Sequence, residues 1–337
     1  MVASPTDGGL SQRLFDALIA DYPDHRPGTR PVHAVGIGAV GYFVPSDVAP
    51  RFTVAEHFQM ERVNVTVRFS NGSGSPVESD AAIDVRGMAT KFHLPSGDST
   101  DLVMSSLPVF FSRNPQDFLD LAKAGEPKPV KPQPRWSRLT DMLLLREPRP
   151  PADPSSPNSG TAGVIAYANC HPFARPAIIA ALTQPAPTSY ARATYHAIHT
   201  FKFTDPDGNV RYCRFAWEPV AGVRPETRSG LPKDYLHTEL RQRLMRGPAR
   251  FVLRAVVGGQ GDALDNPTKG WDTTRLRVVM GELVLTQLAP DAGAAVEPLS
   301  FNPTRVVPGF DISNDKVLVA RGAAYAYSCR QRGGTGC

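Results

Sequence analysis

Two sets of residues in this chain could do chemistry, and they lie near opposite ends of it. Toward the C-terminal end, Leu318, Arg321, Tyr325, Ser328 and Arg332 recur at spacings of three and four within a stretch that reads as a helix from Ser313 to Arg332. Ser313 or Asn314 suits the N-cap, and Gly333-Gly334 the stop. The spacing sets a tyrosine between two arginines on one face. A cation one turn from a phenol favours the phenolate, and tyrosinate is one of the few protein groups that hold haem iron. The plainer reading is an amphipathic helix with solvated arginines and a core tyrosine. Toward the N-terminal end, Arg30-Pro31-Val32-His33 ends a Pro/Gly-rich arm and is followed by Gly36, Gly38 and Gly41. An arm that delivers an arginine and a histidine beside glycines, which allow close backbone approach, suits a ligand pocket. Taken alone, Arg-x-x-His says little, since a lone histidine is more often an ordinary loop or core residue.

These residues need elements to hold them. Leu10, Leu14, Phe15, Leu18 and Ile19 share one face of a docking helix over residues 10–21. From residue 62 the period becomes two: Val63, Val65, Val67 and Phe69 alternate with polar residues, as in a half-buried strand. Further strands are expected over Ile83–Leu94, Asp101–Met104, Val109–Ser112, Ala197–Thr204, Val210–Glu218, Phe251–Val257 and Leu276–Thr286. Helices are expected over Gln116–Ala124, capped by Asn114-Pro115, and over Pro232–Met245. Residues 125–162 form a Pro-rich connector with one short helical piece, Trp136–Leu145. The pattern is α+β: about eight strands closing into an antiparallel β-barrel, with surrounding helices and an extended N-terminal arm. One domain is expected over 1–337. It divides into the helix and arm (1–33), a first barrel half with a helix (34–124), a wrapping connector (125–195), a second barrel half (196–290), and the tyrosine helix and tail (291–337).

The bulk numbers narrow the classes. With 337 residues, 41% hydrophobic content and a net charge of +5, the chain can bury a large core. It has no Lys/Arg block, so nucleic acid is not expected as a partner. No run of 18 apolar residues suggests a membrane span, and Met1–Leu10 lacks a signal-sequence pattern. Cys170, Cys213, Cys329 and Cys337 show no CxxC spacing. A reduced, cytoplasmic protein without structural disulfides or a zinc site is expected, with Cys337 in a frayed tail.

At this point the chain resembles the haem catalases, and more closely their short relatives, the catalase-related peroxidases. The motifs that carry the resemblance run in order from Arg30 to Arg332. They are Arg30-Pro31-Val32-His33-Ala34, Val67-Arg68-Phe69-Ser70, Asp84-Val85-Arg86-Gly87-Met88-Ala89-Thr90-Lys91-Phe92, Pro108-Val109-Phe110-Phe111-Ser112-Arg113 with Phe118, His199-Thr200-Phe201-Lys202-Phe203, Arg214-Phe215-Ala216-Trp217, and Arg321-x-x-x-Tyr325 with Arg332. The resemblance implies a b-type ferric haem with Tyr325 as its iron ligand and Arg321 on the tyrosine oxygen. His33 would be the distal acid–base, oriented by Ser70. Arg30, Arg68 and Arg332 would meet the propionates, and Val32, Phe110 and Phe118 would line the haem.

Two departures from the family pattern bear on the reaction. The distal asparagine is replaced: Asp101-Leu102-Val103-Met104 is followed by Ser105, a shorter residue with one donor. The chain stops at Cys337, without the cofactor-binding extension of larger catalases, so no NADPH site is implied. The expected activity is therefore reduction of hydrogen peroxide or organic hydroperoxides with an external small-molecule reductant, with weak catalase activity. A second reading is a haem enzyme that rearranges or cleaves a lipid or biosynthetic hydroperoxide, using a greasy channel lined by Met104, Phe110, Phe111 and Phe118. A third is a haem- or small-molecule-binding barrel without turnover. The Pro-rich arm would suit contacts to a second copy, giving a homo-oligomer.

Overall fold

The computed structural model describes residues 7–125, 143–144 and 164–337. Among these, ten strands form one antiparallel sheet. They are β1 (Gly36–Pro45), β2 (Val63–Asn71), β3 (Arg86–His93), β4 (Ser99–Ser105), β5 (Tyr195–His196), β6 (Phe201–Thr204), β7 (Val210–Pro219), β8 (Ala249–Val257), β9 (Arg277–Leu288) and β10 (Phe310–Ile312). Their spatial order is β10-β6-β7-β5-β4-β3-β2-β1-β9-β8, and β8 pairs back onto β7. Eight strands thus close a barrel, while β6 and β10 extend from β7 outside the ring. The sequence expectation of a closed eight-stranded barrel holds.

Alternation along β2 explains why the site lies outside the barrel. Val63, Val65, Val67 and Phe69 are buried in the barrel core, packed with Phe43, Phe92, Trp217 and Phe251. Aromatic rings fill the barrel: Phe43 alone meets Phe58, Phe92 and Trp217 edge-on. Arg68 and Ser70 take the alternate positions and so face the other way. On the same outer face, Ser70 pairs with Gly87 of β3, and Gly87 pairs with Ser105 of β4.

Six α-helices are described. They are α1 (Asp7–Ala20), α2 (Pro115–Gly125), α3 (Val164–Cys170), α4 (Arg175–Thr183), α5 (Tyr235–Arg246) and α6 (Lys316–Gln331). All but α5, which packs on the barrel core, lie around a cavity on that face. Leu14 and Ala17 of α1 pack on Leu119 and Ala122 of α2, and Phe15 meets Tyr327 of α6 edge-on at 5.3 Å. The α2 start is as expected: Asn114 Oδ1 accepts from the Asp117 amide at 2.9 Å.

Several expectations are corrected. Glycine-rich β1 is a full strand that the expected set did not include; the Arg68 side chain lies across Gly36, where a Cβ would overlap the guanidinium. Val109–Ser112 is not a strand, and of Ala197–Thr204 only Phe201–Thr204 is one (β6); an irregular segment that includes His199 and Thr200 separates it from β5. The N-cap of α6 is Asp315, whose carboxylate accepts from the Val317 and Leu318 amides. Helices α3 and α4 occupy part of the stretch read as a wrapping connector. The helical piece expected over Trp136–Leu145 lies outside the described residues, apart from Leu143 and Leu144.

The cysteine spacing predicts no disulfide, yet Cys329 and Cys337 are bonded to each other; Cys170 and Cys213 are not in a disulfide. Gly333 takes a left-handed φ of 63°, and the Gly334 amide bonds to the Cys329 carbonyl at 2.9 Å. The chain therefore reverses after α6 and returns Cys337 to the last helical turn. A local reversal of this kind leaves no CxxC signal. No described helix is long and apolar enough to cross a membrane.

Candidate active site

One cavity of about 390 Å³ lies between the outer barrel face, the N-terminal arm, α2 and α6. Each residue singled out from the sequence lines it: Arg30, Val32, His33, Arg68, Ser70, Ser105, Phe110, Phe118, Arg321, Tyr325 and Arg332. Residues from Arg30 to Arg332, near opposite ends of the sequence, thus share one space.

On the barrel side, His33 Nδ1 lies 3.0 Å from Ser70 Oγ. The His33 backbone has a φ of +55°, a left-handed conformation that costs a non-glycine residue free energy. It is held by both main-chain groups: its amide bonds to the Gly72 carbonyl at 3.0 Å, and its carbonyl accepts from Arg68 at 2.9 Å. Gly87 makes room for the ring, since a Cβ there would overlap both the imidazole and Ser70 Oγ. Burial, helped by the nearby Arg68, Arg321 and Arg30 cations, lowers the His33 pKa to about 3. The imidazole is therefore neutral at ordinary pH.

On the helix side, Arg321 Nη2 donates to the Tyr325 hydroxyl at 3.1 Å. Arg321 Nη1 lies 2.8 Å from His199 Nε2, and His199 Nδ1 lies 2.7 Å from Asp315 Oδ2. An arginine has no acceptor, so Nε2 must be the accepting nitrogen and Nδ1–H must donate to Asp315. Burial lowers the His199 pKa to about 4, in keeping with a neutral ring. One carboxylate therefore caps α6 and, through His199, holds Arg321 against Tyr325. Sequence reasoning left out Asp315 as an active-site residue and gave His199 no role. The signal available was Asp315 itself, a cap-type residue six positions before Arg321; its partner lies in a distant turn with no local marker.

At the cavity edge three arginines converge, two of them on Glu297 and the third on the neighbouring Leu299 carbonyl. Arg30 Nη1 lies 2.5 Å and Arg68 Nε 2.8 Å from the Glu297 carboxylate. The Leu299 carbonyl accepts from Arg30 at 2.9 Å and from Arg332 at 3.0 Å. Burial and the Arg68 cation push the Arg30 pKa well below its usual value, while Glu297 opposes them. Burial works against ionisation of Glu297, but Arg68 and Arg30 beside it keep its carboxyl below the ordinary range. Three guanidiniums against one carboxylate leave two positive charges unmatched. The Arg332 Nε–H is buried without a hydrogen-bond partner. Such a cradle suits a ligand with two carboxylates. Glu297 was missed from the sequence because a lone glutamate in a loop carries no spacing signal.

Ser105 lines the cavity at the end of β4, with its Oγ accepting from the Leu107 amide at 3.3 Å. Met104 also borders the cavity but is buried in the barrel core. Phe110 meets Phe118 edge-on at 5.3 Å. Among the described residues, no cluster of three or more His, Cys, Asp or Glu side chains could hold a bare metal ion.

A closed barrel carrying such a cavity on its outer face defines a class, and comparison with known proteins identifies it. The sequence matches the catalase family over residues 10–147 and 167–337, and the chain belongs to that family. It is 33% identical over 330 residues to a catalase-related peroxidase of Mycolicibacterium paratuberculosis, covering 97% of this chain and 96% of that protein. It is 31% identical over 313 residues to a catalase-related peroxidase of Synechococcus elongatus, covering 91% and 84%. Catalase-2 of Bacillus subtilis is 28% identical over 327 residues, but the match spans only 45% of that longer protein. The crystal structure of a fungal catalase shares the fold, with a TM-score of 0.74 at 24% identity, over 92% of this chain and 60% of the fungal chain.

Proposed function

We propose that this chain, an oxidoreductase acting on peroxide, binds a b-type ferric haem. It uses the haem to reduce hydrogen peroxide or organic hydroperoxides with an external small-molecule donor, and its catalase activity is weak. The observation that carries this reading is the single cavity that joins the His33–Ser70 pair, the Arg321–Tyr325 pair and the three-arginine cradle.

The residues fit the cofactor. The unpartnered Arg332 Nε–H and the two unmatched positive charges suit two propionates, and the Tyr325 hydroxyl lines the cavity as an oxygen ligand for iron. When bound, the haem supplies the iron that accepts an oxygen atom from the peroxide and takes up electrons from the donor. Tyr325 would hold the iron as phenolate, and the Arg321 guanidinium 3.1 Å away stabilises negative charge on that oxygen. Asp315 and His199 keep Arg321 in place. Arg30, Arg68 and Arg332 would bind the propionates, with Glu297 fixing the first two.

His33 does the proton work. Neutral at ordinary pH, it takes a proton from the proximal peroxide oxygen and returns it to the leaving oxygen, so that alcohol or water departs rather than an alkoxide or hydroxide. Acid–base help of this kind contributes about 10²–10⁴-fold. The Ser70 hydroxyl fixes the ring on one side, leaving Nε2 for the substrate. Ser105 offers one hydroxyl where an amide would offer two donors and an acceptor, so a second hydrogen peroxide is poorly oriented and an external donor completes the turnover.

A second reading is favoured by one feature, the apolar lining contributed by Leu14, Leu18, Ile178, Ala181 and Leu182. It would suit the alkyl chain of a fatty hydroperoxide rearranged without a donor. An absorption spectrum of haem-reconstituted protein, followed by peroxide titration with and without a donor dye, tests the main proposal. Absence of a Soret band sinks it; epoxide or aldehyde products formed without donor favour the second reading.

A further inference from the structure

We propose that Cys329 and Cys337 form a redox modification site: a thiol pair that hydroperoxide oxidises, and whose disulfide clasps the carboxylate cradle in place. The last step rests on the haem reading above.

The argument starts from where the disulfide sits. Cys329 is buried on α6, four residues beyond Tyr325, and is bonded to Cys337 in the exposed tail. Between them, the tail lies alongside residues 298–300 as a short parallel pair, Thr335 opposite Leu299. The Thr335 amide donates to the Pro298 carbonyl at 2.7 Å, the Ser300 amide donates to the Thr335 carbonyl at 3.0 Å, and Arg305 donates to the Gly336 carbonyl. The clasped segment is the one that organises the cradle. Its Leu299 carbonyl is shared by Arg30 and Arg332, and Glu297, two residues earlier, binds Arg30 and Arg68. Gly333, Gly334 and Gly336 do not stiffen the segment that follows α6; the disulfide closes it back onto the helix by joining Cys337 to Cys329.

The chemistry balances with the protein's own substrate class. The exposed Cys337 thiolate attacks a hydroperoxide oxygen: an S–O bond forms, the O–O bond breaks, and alcohol (or water) leaves with a proton. The sulfur is oxidised to sulfenic acid. Once the tail docks, the Cys329 thiolate attacks that sulfur; the S–S bond forms, the S–O bond breaks, and water leaves. In sum, two thiols and one hydroperoxide give a disulfide, one alcohol and one water. Exposure to peroxide would thus tighten the grip on the cofactor, and a dithiol reductant would loosen it.

The test uses full-length holoprotein, either treated with hydrogen peroxide and desalted or reduced with dithiothreitol. Thiols counted after denaturation should be two in the first sample (Cys170 and Cys213) and four in the second; four in both overturns the proposal. Hydrogen exchange should accelerate at the Thr335 and Ser300 amides on reduction. This second readout works equally on haem-free protein, so it separates failure of the clasp from failure of the haem reading. Haem transfer to excess apomyoglobin should become about fivefold faster, the scale of loosening one hydrogen bond. Cys337→Ser, at an exposed position, should show the fast rates in both conditions, and Cys170→Ser should behave as wild type. Amide exchange at Thr335 and Ser300, or haem transfer, that ignores reduction would show the disulfide to be no clasp.

Discussion

Arg321 donates a hydrogen bond to the Tyr325 hydroxyl across one turn of α6, at 3.1 Å. The arginine cannot swing away, because its other terminal nitrogen is held by His199, and His199 is held by the cap residue Asp315. A single carboxylate at the helix start thus fixes the geometry ten residues further on. Asp315→Asn keeps a good cap but removes the charged acceptor, and should leave fold stability within about 1 kcal/mol of wild type while shifting the ferric absorption bands. Asp315→Ala also loses the cap and leaves the buried His199 Nδ1–H unpaired. It should lower unfolding free energy in urea by about 2–4 kcal/mol, the sum of a cap and a buried unsatisfied donor. Equal stability of the two variants would show that the cap and the His199 bond contribute little.

Tyr325→Phe removes only the hydroxyl from a half-buried ring, so the fold should be retained. The expected outcome is loss of the high-spin ferric phenolate spectrum in reconstituted protein. An unchanged spectrum would mean that another group holds the iron.

His33→Ala should retain haem and lose peroxide cleavage by about 10² or more. Gly87→Ala is the more informative variant. A Cβ at residue 87 would strike both the imidazole and Ser70 Oγ, so His33 is present but displaced. Stopped-flow peroxide cleavage in Gly87→Ala should fall by about 10²-fold, as expected for roughly 1 Å of misplacement. Near-native cleavage there would indicate that His33 acts without its Ser70 contact.

How much of this was legible follows from the kind of signal each residue leaves. β2 was legible because Val63, Val65, Val67 and Phe69 alternate with polar residues, and that alternation already placed Arg68 and Ser70 on the opposite face. The α6 stripe was legible from its three-and-four spacing. β1 was not, because the close approach of the Arg68 side chain demands a glycine at residue 36 that looks like loop composition. Glu297, His199 and Asp315 were not legible as a set, since each acts through a partner far away in sequence. The disulfide was hidden because a left-handed glycine, not a cysteine motif, brings its ends together.

The buried histidines predict an asymmetric response to acid. Burial lowers the pKa values of His33 and His57 to about 3, and of His196 and His199 to about 4. Unfolding restores ordinary values near 6.5, so between pH 6.5 and about 4 the unfolded chain binds more protons than the folded one. Stability therefore falls as pH drops through this window and is regained as pH rises toward 7. Urea midpoints measured from pH 7.5 to 4.5 should decline below pH 6.5. Over the same range, the rate of peroxide cleavage by protein that remains folded should show no inflection near 6.5, because His33 stays neutral. A clear inflection there would place the working pKa of His33 in the ordinary range.

Ser105→Asn tests the distal departure directly. Ser105 pairs with Gly87 on β3 and lines the cavity, so a longer side chain at this position extends along the face that holds His33 and Ser70. An amide there supplies two donors, whereas the Ser105 hydroxyl, which accepts from the Leu107 amide, has one. Orienting a second hydrogen peroxide should raise oxygen release, measured with an oxygen electrode without donor. The expected gain is about tenfold, the effect of one good hydrogen bond to a reacting group. Donor-dependent peroxidase turnover should fall in proportion as the two reductants compete. If oxygen release stays at the wild-type level while donor turnover is unchanged, Ser105 does not set the choice between them. The bulk of Met104 beside it then becomes the group to vary.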